Sequence, residues 1–294
     1  MNSANERELQ NGLGLSIGDD HWLEGADRKE SPHNTGTLER LDSIIIHYTS
    51  GASAASSVKT LTDPARKVSA HLVIGRDNSV TQIVPFDRIA WHAGKSAHHN
   101  VTGLNRYSIG IEIDNAGKLE KSGNAYLSWF GRRYDEEDVF TGVHRNQSQV
   151  AYWHRFTEGQ IEIVYDICAL LLDTYPDIEY ILGHAEISPK RKIDPGPAFP
   201  LDKLRDRLLN GDRDQEEPEA DDEPDIALEG RKIGRVYDTD RLNVRSSPGV
   251  TDDNKIGRLK KDTQVKILEE ENGWYRVKME IEGWVSKRYI NPVE

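Results

Sequence analysis

The sequence predicts an α/β domain followed by a small all-β barrel, and three observations carry that reading. Short β-branched runs mingle with helical patterns up to about residue 209. A strongly acidic, proline-bearing stretch, 210–230, then breaks the apolar periodicity. Beyond it, 231–294 holds short alternating runs with turn residues at close spacing, the texture of a small barrel.

Within the first domain, "LDSIIIHY" (41–48) is β-branched and apolar on both faces, as a central strand must be. "SAASSVKTLTD" reads as a helix stopped by Pro64. "AHLVIGRDNSVTQIVP" reads as a hairpin turning at Asp77-Asn78. In "YSIGIEIDN" the isoleucines 109, 111 and 113 share one face, which leaves Glu112 on the other, facing either solvent or a site. Thr157 and Gln160 form a capping box ahead of "IEIVYDICALLLDTY", a buried helix that takes Cys168 into the core. "IEYILGH" is a further strand and "PLDKLRDRLLNG" a closing helix with Gly211 as its stop. The first forty residues are polar and loop-rich, so 1–30 reads as an extension and 31–209 as the domain. Residues 117–156 are rich in glycine, aromatics and charge without a period, an insertion across one edge.

Composition excludes several classes. No run approaches the roughly 18 apolar residues that span a bilayer, so membrane insertion is not expected. The N-terminus lacks a basic and an apolar region, which implies synthesis in the cytoplasm without a signal peptide and action either there or at the wall after release. The net charge of −12 is concentrated in 210–230, where ten acids face one base, so acidity describes a solvated linker and not a partner. No basic helix or aromatic-basic stripe points to nucleic acid. A lone cysteine excludes an internal disulfide and leaves metal binding to histidines and carboxylates.

The chain has no HExxH, CxxC, GxSxG or phosphate-binding loop. Its candidates stand at strand ends: His47 closes "SIIIH", His184 closes "YILGH", and Asp194 follows His184 after a basic, proline-bearing turn. Two histidines and a carboxylate make a common catalytic zinc set, although a strand-end histidine is more often an ordinary hydrogen-bonded structural residue.

Four blocks, "SPHNTGTLERLDSIIIHYT", "SAHLVIGRDNSVTQIVPFDRIAWHAG", "NRYSIGIEI" and "GHAEISPKRKIDPG", resemble the zinc-dependent N-acetylmuramoyl-L-alanine amidases of the AmpD and peptidoglycan-recognition-protein superfamily. They run in the family's order across roughly residues 31–200. The resemblance implies a central mixed β-sheet flanked by helices, with Zn2+ held by His47, His184 and Asp194. It implies Glu112 as general base and Lys192 as the cation that steadies the transition state. It places His71, His92 and Asn105 among the residues lining or supporting the cleft. The implied partner is peptidoglycan or a muropeptide, cleaved between N-acetylmuramic acid and L-alanine. A non-catalytic recognition module is the other class, but such modules commonly lack a metal ligand.

The family pattern leaves 117–156 open as a substrate-binding wall, a lid or decoration. His144 and His154, in or beside it, read as solvated loop histidines, as do His21, His33, His98 and His99. "LNVRSSPG", "NGWYRVK" and "GWVSKRYI" resemble a bacterial SH3-like domain, in which Trp274 and Trp284 are either wall-binding or barrel core. Such a tail favours a lysin-like role on polymer over recycling of anhydro-muropeptides.

Overall fold

Three consecutive isoleucines can hide both faces of a strand only if the strand is central, and that is where they lie. The structure, a computed structural model, describes residues 15–34, 36–209, 233–236, 241–248, 255–260, 263–271 and 274–278. The chain divides into two units, Met1–Pro218 and Glu219–Glu294. In the first, a hairpin of β1 (Ser16–Ile17) and β2 (Leu23–Glu24) leads to β3 (Asp27–Arg28), β4 (Ser43–Tyr48) and helix α1 (Ala54–Leu61). Strands β5 (Leu72–Ile74) and β6 (Val80–Gln82) form the expected hairpin, with Asn78 at φ 68° in its turn. A small ribbon of β7 (Ala97–His98) and β8 (Val101–Thr102) precedes β9 (Ser108–Ile113).

Next come β10 (Lys118–Ser122), β11 (Ala125–Leu127), β12 (Arg133–Tyr134), β13 (Val139–Val143) and β14 (Val150–His154). Helix α2 (Glu158–Thr174), β15 (Tyr180–Gly183), the short α3 (His184–Ile187) and α4 (Leu201–Leu209) close the unit.

The main sheet runs β15-β4-β9-β5-β6-β3 and is mixed: β15, β4, β9 and β5 are parallel, and β5 and β6 antiparallel. Alternation divides its residues. Ile44, Ile46, Ile109, Ile111 and Ile113 pack with Ile163, Val164, Ile167, Cys168 and Leu171 of α2 and Leu204 of α4. Fully burying each such side chain contributes about 1.5–3 kcal/mol. The Thr157–Gln160 capping box starts α2 as the sequence requires, and Cys168 is a fully buried thiol. The opposite face carries Ile45 and Leu182 against Ala93, Leu104 and Ile187. His47 and Glu112 belong to that second face.

One expectation is corrected and one is filled in. The segment before residue 31 is not a loop-rich extension throughout: β3 adds to the sheet edge beside β6, and Trp22 and Leu23 are buried. Residues 117–156, in which no period is readable, build a second sheet, β12-β11-β10-β14-β13, antiparallel throughout. The 210–230 linker, Gly211, residues 1–14 and Trp284 lie outside the described residues.

The second unit is all-β where described. Strands β16 (Ile233–Arg235), β17 (Arg241–Arg245), β18 (Lys255–Lys260), β19 (Gln264–Glu271) and β20 (Trp274–Lys278) pair as β16-β19-β20 and β17-β18. Val236, Leu259 and Val265 form its buried centre, and Trp274 is half-buried. Among the described residues, no helix is long and apolar enough to cross a membrane.

Histidines bind the first unit together from inside. His71 is fully buried; its Nε2 donates to the Arg88 carbonyl at 2.9 Å and its Nδ1 accepts from the Gly110 N–H at 2.9 Å. Burial holds its pKa down at about 4, and burial with nearby Arg76 and Arg132 holds that of His154 at about 3. In the unfolded chain both return to about 6.5. The unfolded state therefore takes up the extra protons: stability is whole above about pH 6.5 and drains as pH falls toward 4. For His71 the gap corresponds to about 3 kcal/mol. Thermal melts should show Tm falling across that window, and His71→Gln should flatten the fall; an unchanged slope would remove His71 as a cause.

Candidate active site

Strand register assembles the site. In the parallel pair β4–β9, His47 stands opposite Glu112, and in β15–β4 the last paired residues are Gly183 and Ile46. One residue further, His184 leaves β15 beside His47. Three adjacent strands thus deliver His184, His47 and Glu112 in one row at their C-terminal ends, where α/β sheets commonly place ligands. Asp194 returns to that row through the turn after α3, where the Ser188 carbonyl accepts the N–H groups of Arg191 and Lys192, each at 3.0 Å.

Three atoms converge. His47 Nδ1 lies 2.8 Å from His184 Nδ1, and Asp194 Oδ2 lies 3.0 Å and 2.9 Å from those two nitrogens. All three residues are buried. The outer ring nitrogens are engaged elsewhere: His184 Nε2 donates to the Ala93 carbonyl at 3.2 Å, and His47 Nε2 lies 3.0 Å from His92 Nδ1. With His47 donating there, His92 Nε2 donates to Ser108 Oγ at 3.3 Å and Ser108 to the Leu104 carbonyl at 2.7 Å. That chain of acceptors assigns the tautomers and turns the Nδ1 lone pairs inward. Two imidazole lone pairs and a carboxylate oxygen at such spacing repel unless a cation lies among them. Two nitrogens and one oxygen are a fitting donor set for a metal.

The electrostatics agree. Burial, then the neighbouring His184, press the His47 pKa down to about 4, so it stays neutral and ligand-ready. Burial alone would raise Asp194, but its closeness to His184 and His47 outweighs that and holds the carboxyl well below the usual range. Glu112 goes the other way. Burial, then repulsion from Asp194, raise it to about 8, with Lys192 opposing. Its Oε2 is shut off from solvent with no hydrogen-bond partner among the described residues. An orphaned buried oxygen is costly, about 1–3 kcal/mol, and such atoms concentrate where chemistry uses them. Lys192 lies close enough to oppose the charging of His47 and to favour that of Glu112.

The other expected residues lie beneath and beside the row. His92 is buried under His47, and its ring occupies the space a side chain at position 110 would need, since a Cβ on Gly110 would meet it at 2.4 Å. Asn105 Oδ1 accepts the N–H groups of His92 at 3.1 Å and Ala93 at 2.7 Å. His71, with both nitrogens engaged by backbone, holds β9 against the segment carrying Arg88 and is not a cleft wall.

Sequence reasoning missed three groups. Arg191 donates through Nη2 to the carbonyls of Ala93 and Lys95, both at 2.9 Å, tying the Asp194 loop to the segment around His92. His144 and His154 are buried, not solvated, with 2% and 4% of their surfaces exposed. His144 stacks on Trp153 with ring centroids 5.7 Å apart and accepts the Asn146 N–H at 3.2 Å; Asn146 Nδ2 in turn donates to the Ala185 carbonyl at 3.0 Å. His154 Nδ1 accepts the Ala116 N–H at 3.1 Å. Like His47 and His184, His154 ends an apolar strand, a signal available in "VAYWH".

Comparisons with known proteins agree in placing the first unit. A sequence profile described as N-acetylmuramoyl-L-alanine amidase matches residues 37–197, and one described as bacterial SH3 domain matches 240–291. The 1,6-anhydro-N-acetylmuramyl-L-alanine amidase AmpD of Escherichia coli (strain K12) is 31% identical over 209 residues, 63% of this chain and 92% of that one. The N-acetylmuramoyl-L-alanine amidase AmiD of the same organism is 33% identical over 173 residues, 56% of this chain and 52% of that one. Among solved structures, a crystal structure of a selenomethionine AmpD derivative is similar at a TM-score of 0.46 and 26% identity, across 66% of this chain and 99% of that one.

Because His92 fixes the His47 tautomer, its loss should be read at the metal. His92→Ala should weaken Zn2+ binding about 10- to 100-fold in calorimetric titration, with secondary structure retained. Unaltered affinity would show that His47 needs no such partner.

Proposed function

The chain belongs to the N-acetylmuramoyl-L-alanine amidase family and is an enzyme of that kind; from that premise we propose a zinc hydrolase in which His47, His184 and Asp194 hold the metal, Glu112 handles the proton and Lys192 stabilises developing charge. The observation that carries this is the row itself: inward Nδ1 lone pairs beside a buried carboxylate oxygen that has no partner among the described residues. Zinc, when bound, supplies a Lewis acid that polarises a carbonyl and eases deprotonation of water near neutral pH.

The remaining work belongs to the chain. Glu112 Oε2, unpartnered and sheltered, is free to take a proton from the attacking water and to pass it to the departing L-alanine nitrogen. Its raised pKa makes it a stronger base than an exposed glutamate, and a cation in the adjacent cluster brings it down from about 8 into its ionised form. Lys192 offsets the negative charge that grows on the carbonyl oxygen. Asp194 and the His92–Ser108 chain keep the two histidines from turning away.

The substrate we propose is the amide between N-acetylmuramic acid and L-alanine in peptidoglycan polymer, with the second unit as a wall-binding module. The SH3 match and the chain's basic excess over 231–294 support that choice. AmpD, whose name specifies a 1,6-anhydro-muramyl substrate, favours soluble muropeptide instead. Assay of intact sacculi against anhydro-muropeptide separates the two.

Glu112→Gln should retain zinc by metal analysis yet lose about 10²–10⁴ in kcat, together with the acidic limb of the pH profile, since only the deprotonated base works. Retained turnover would exclude Glu112 as the base. Lys192→Ala should cost about 10²–10³ in kcat. Ending the chain after Pro218 should lower action on sacculi far more than on soluble muropeptide, and equal losses would exclude a wall-targeting role for the second unit.

A further inference from the structure

The sheet formed by β10–β14 presents one residue that the amidase chemistry does not use. Trp129 is 75% exposed, the most exposed large apolar side chain among the described residues. An indole left in water forgoes a large burial gain, so its position needs a reason. Loose placement is not the reason. Its single donor, Nε1–H, gives a 2.8 Å hydrogen bond to the Ser50 carbonyl. The turn that carries it is closed by Ser128 N–H to the Arg132 carbonyl and Gly131 N–H to the Ser128 carbonyl, both at 2.9 Å. Phe130 meets it edge-on at 5.6 Å, and the Arg132 guanidinium lies 5.8 Å from the Phe130 ring. With its polar atom satisfied by protein, the indole offers solvent a held, apolar π surface.

Its place relative to the chemistry follows from the chain. Ser50 lies three residues after His47, so their Cα atoms are at most about 11 Å apart. Ser50 adopts φ 50°, a left-handed conformation uncommon outside glycine, in the turn that presents its carbonyl to the indole. A flat apolar face that near the reacting row suits a ligand with one apolar face and polar edges, and a pyranose ring is such a ligand. The sugar bearing the scissile amide must occupy the row itself. A platform beside it is reached by a neighbouring sugar of the same chain.

We infer that Trp129 is a stacking platform for an N-acetylhexosamine ring of the glycan strand, a subsite that makes this enzyme favour polymer over single-sugar muropeptides. The inference rests on the amidase reading above and adds a specificity determinant to it.

The test compares zinc-loaded full-length wild type, Trp129→Ala and Trp129→Phe on soluble uncross-linked peptidoglycan strands and on a single-sugar muropeptide. Trp129→Ala should raise KM on strands about tenfold, a factor worth ~1.4 kcal/mol, with kcat unchanged and both constants unchanged on the muropeptide; Trp129→Phe should recover part of the loss. Equal KM for wild type and Trp129→Ala on strands overturns the inference. So does an equal loss on the muropeptide, which would place Trp129 at the scissile unit or in support of the fold. Wild type inactive on both substrates would instead overturn the amidase reading. Titration with tetra-N-acetylchitotetraose, read as tryptophan quenching present in wild type and absent in Trp129→Ala, then decides the platform by itself, and identical quenching in the two excludes it.

Discussion

Two imidazole nitrogens and a carboxylate oxygen, 2.8–3.0 Å from one another inside a buried cluster, form the constraint to which the rest of the first unit answers. Left alone, each imidazole would rotate its lone pair away or gain a proton, and the carboxylate would seek water. None of these exits is open. Burial keeps His47 neutral, the acceptors on Nε2 fix the tautomers, and the closeness of both rings to Asp194 keeps its carboxyl ionised. Charge density is thereby concentrated on one side of a small space, which is the condition for holding a divalent cation.

That concentration accounts for the unusual state of Glu112. A carboxylate beside an anionic cluster and away from water holds its proton more tightly, and Lys192 counters this only in part. Filling the cluster with a cation reverses the sign of the local field. The same set of residues therefore makes base strength and metal binding interdependent. The register of β4 and β9, which puts Glu112 beside His47 and not one residue away, is what couples them.

Much of this was legible in sequence because it obeys simple periods. The isoleucines of "SIGIEI" had to face a core, so Glu112 had to face the other way; the capping box and apolar run of α2 said what that core would be. The convergence of His47, His184 and Asp194 was legible as strand-end histidines and, beyond that, as a family pattern. What escaped was structure whose signal is not periodic. Strands of two to five residues with charged edge positions, such as β10 and β12, carry no alternation long enough to read. The burial of His144 depends on Trp153 and on the loop around Asp194, 50 positions away, and no local feature announces it. His92 was visible as a cleft residue, but its place beneath His47 depends on Gly110 leaving room for the ring.

The second sheet is best understood by what would happen to the ligand loops without it. The ten-residue path from His184 to Asp194 has few apolar anchors of its own, and ordering each residue costs about 1–2 kcal/mol. A hydrogen bond from Asn146 to the Ala185 carbonyl ties that path to the β13–β14 hairpin. Trp153 seals it, with Gly196 at φ 73° lying so close that a Cβ there would meet the indole at 2.9 Å. On the His47 side, the Tyr48 ring lies so close to Gly117, just before β10, that a Cβ there would meet it at 2.6 Å. One sheet therefore grips the chain on both sides of the cluster, after His47 and around Asp194. A ligand set drawn from separated segments needs such a brace because its geometry is only as firm as its least supported loop.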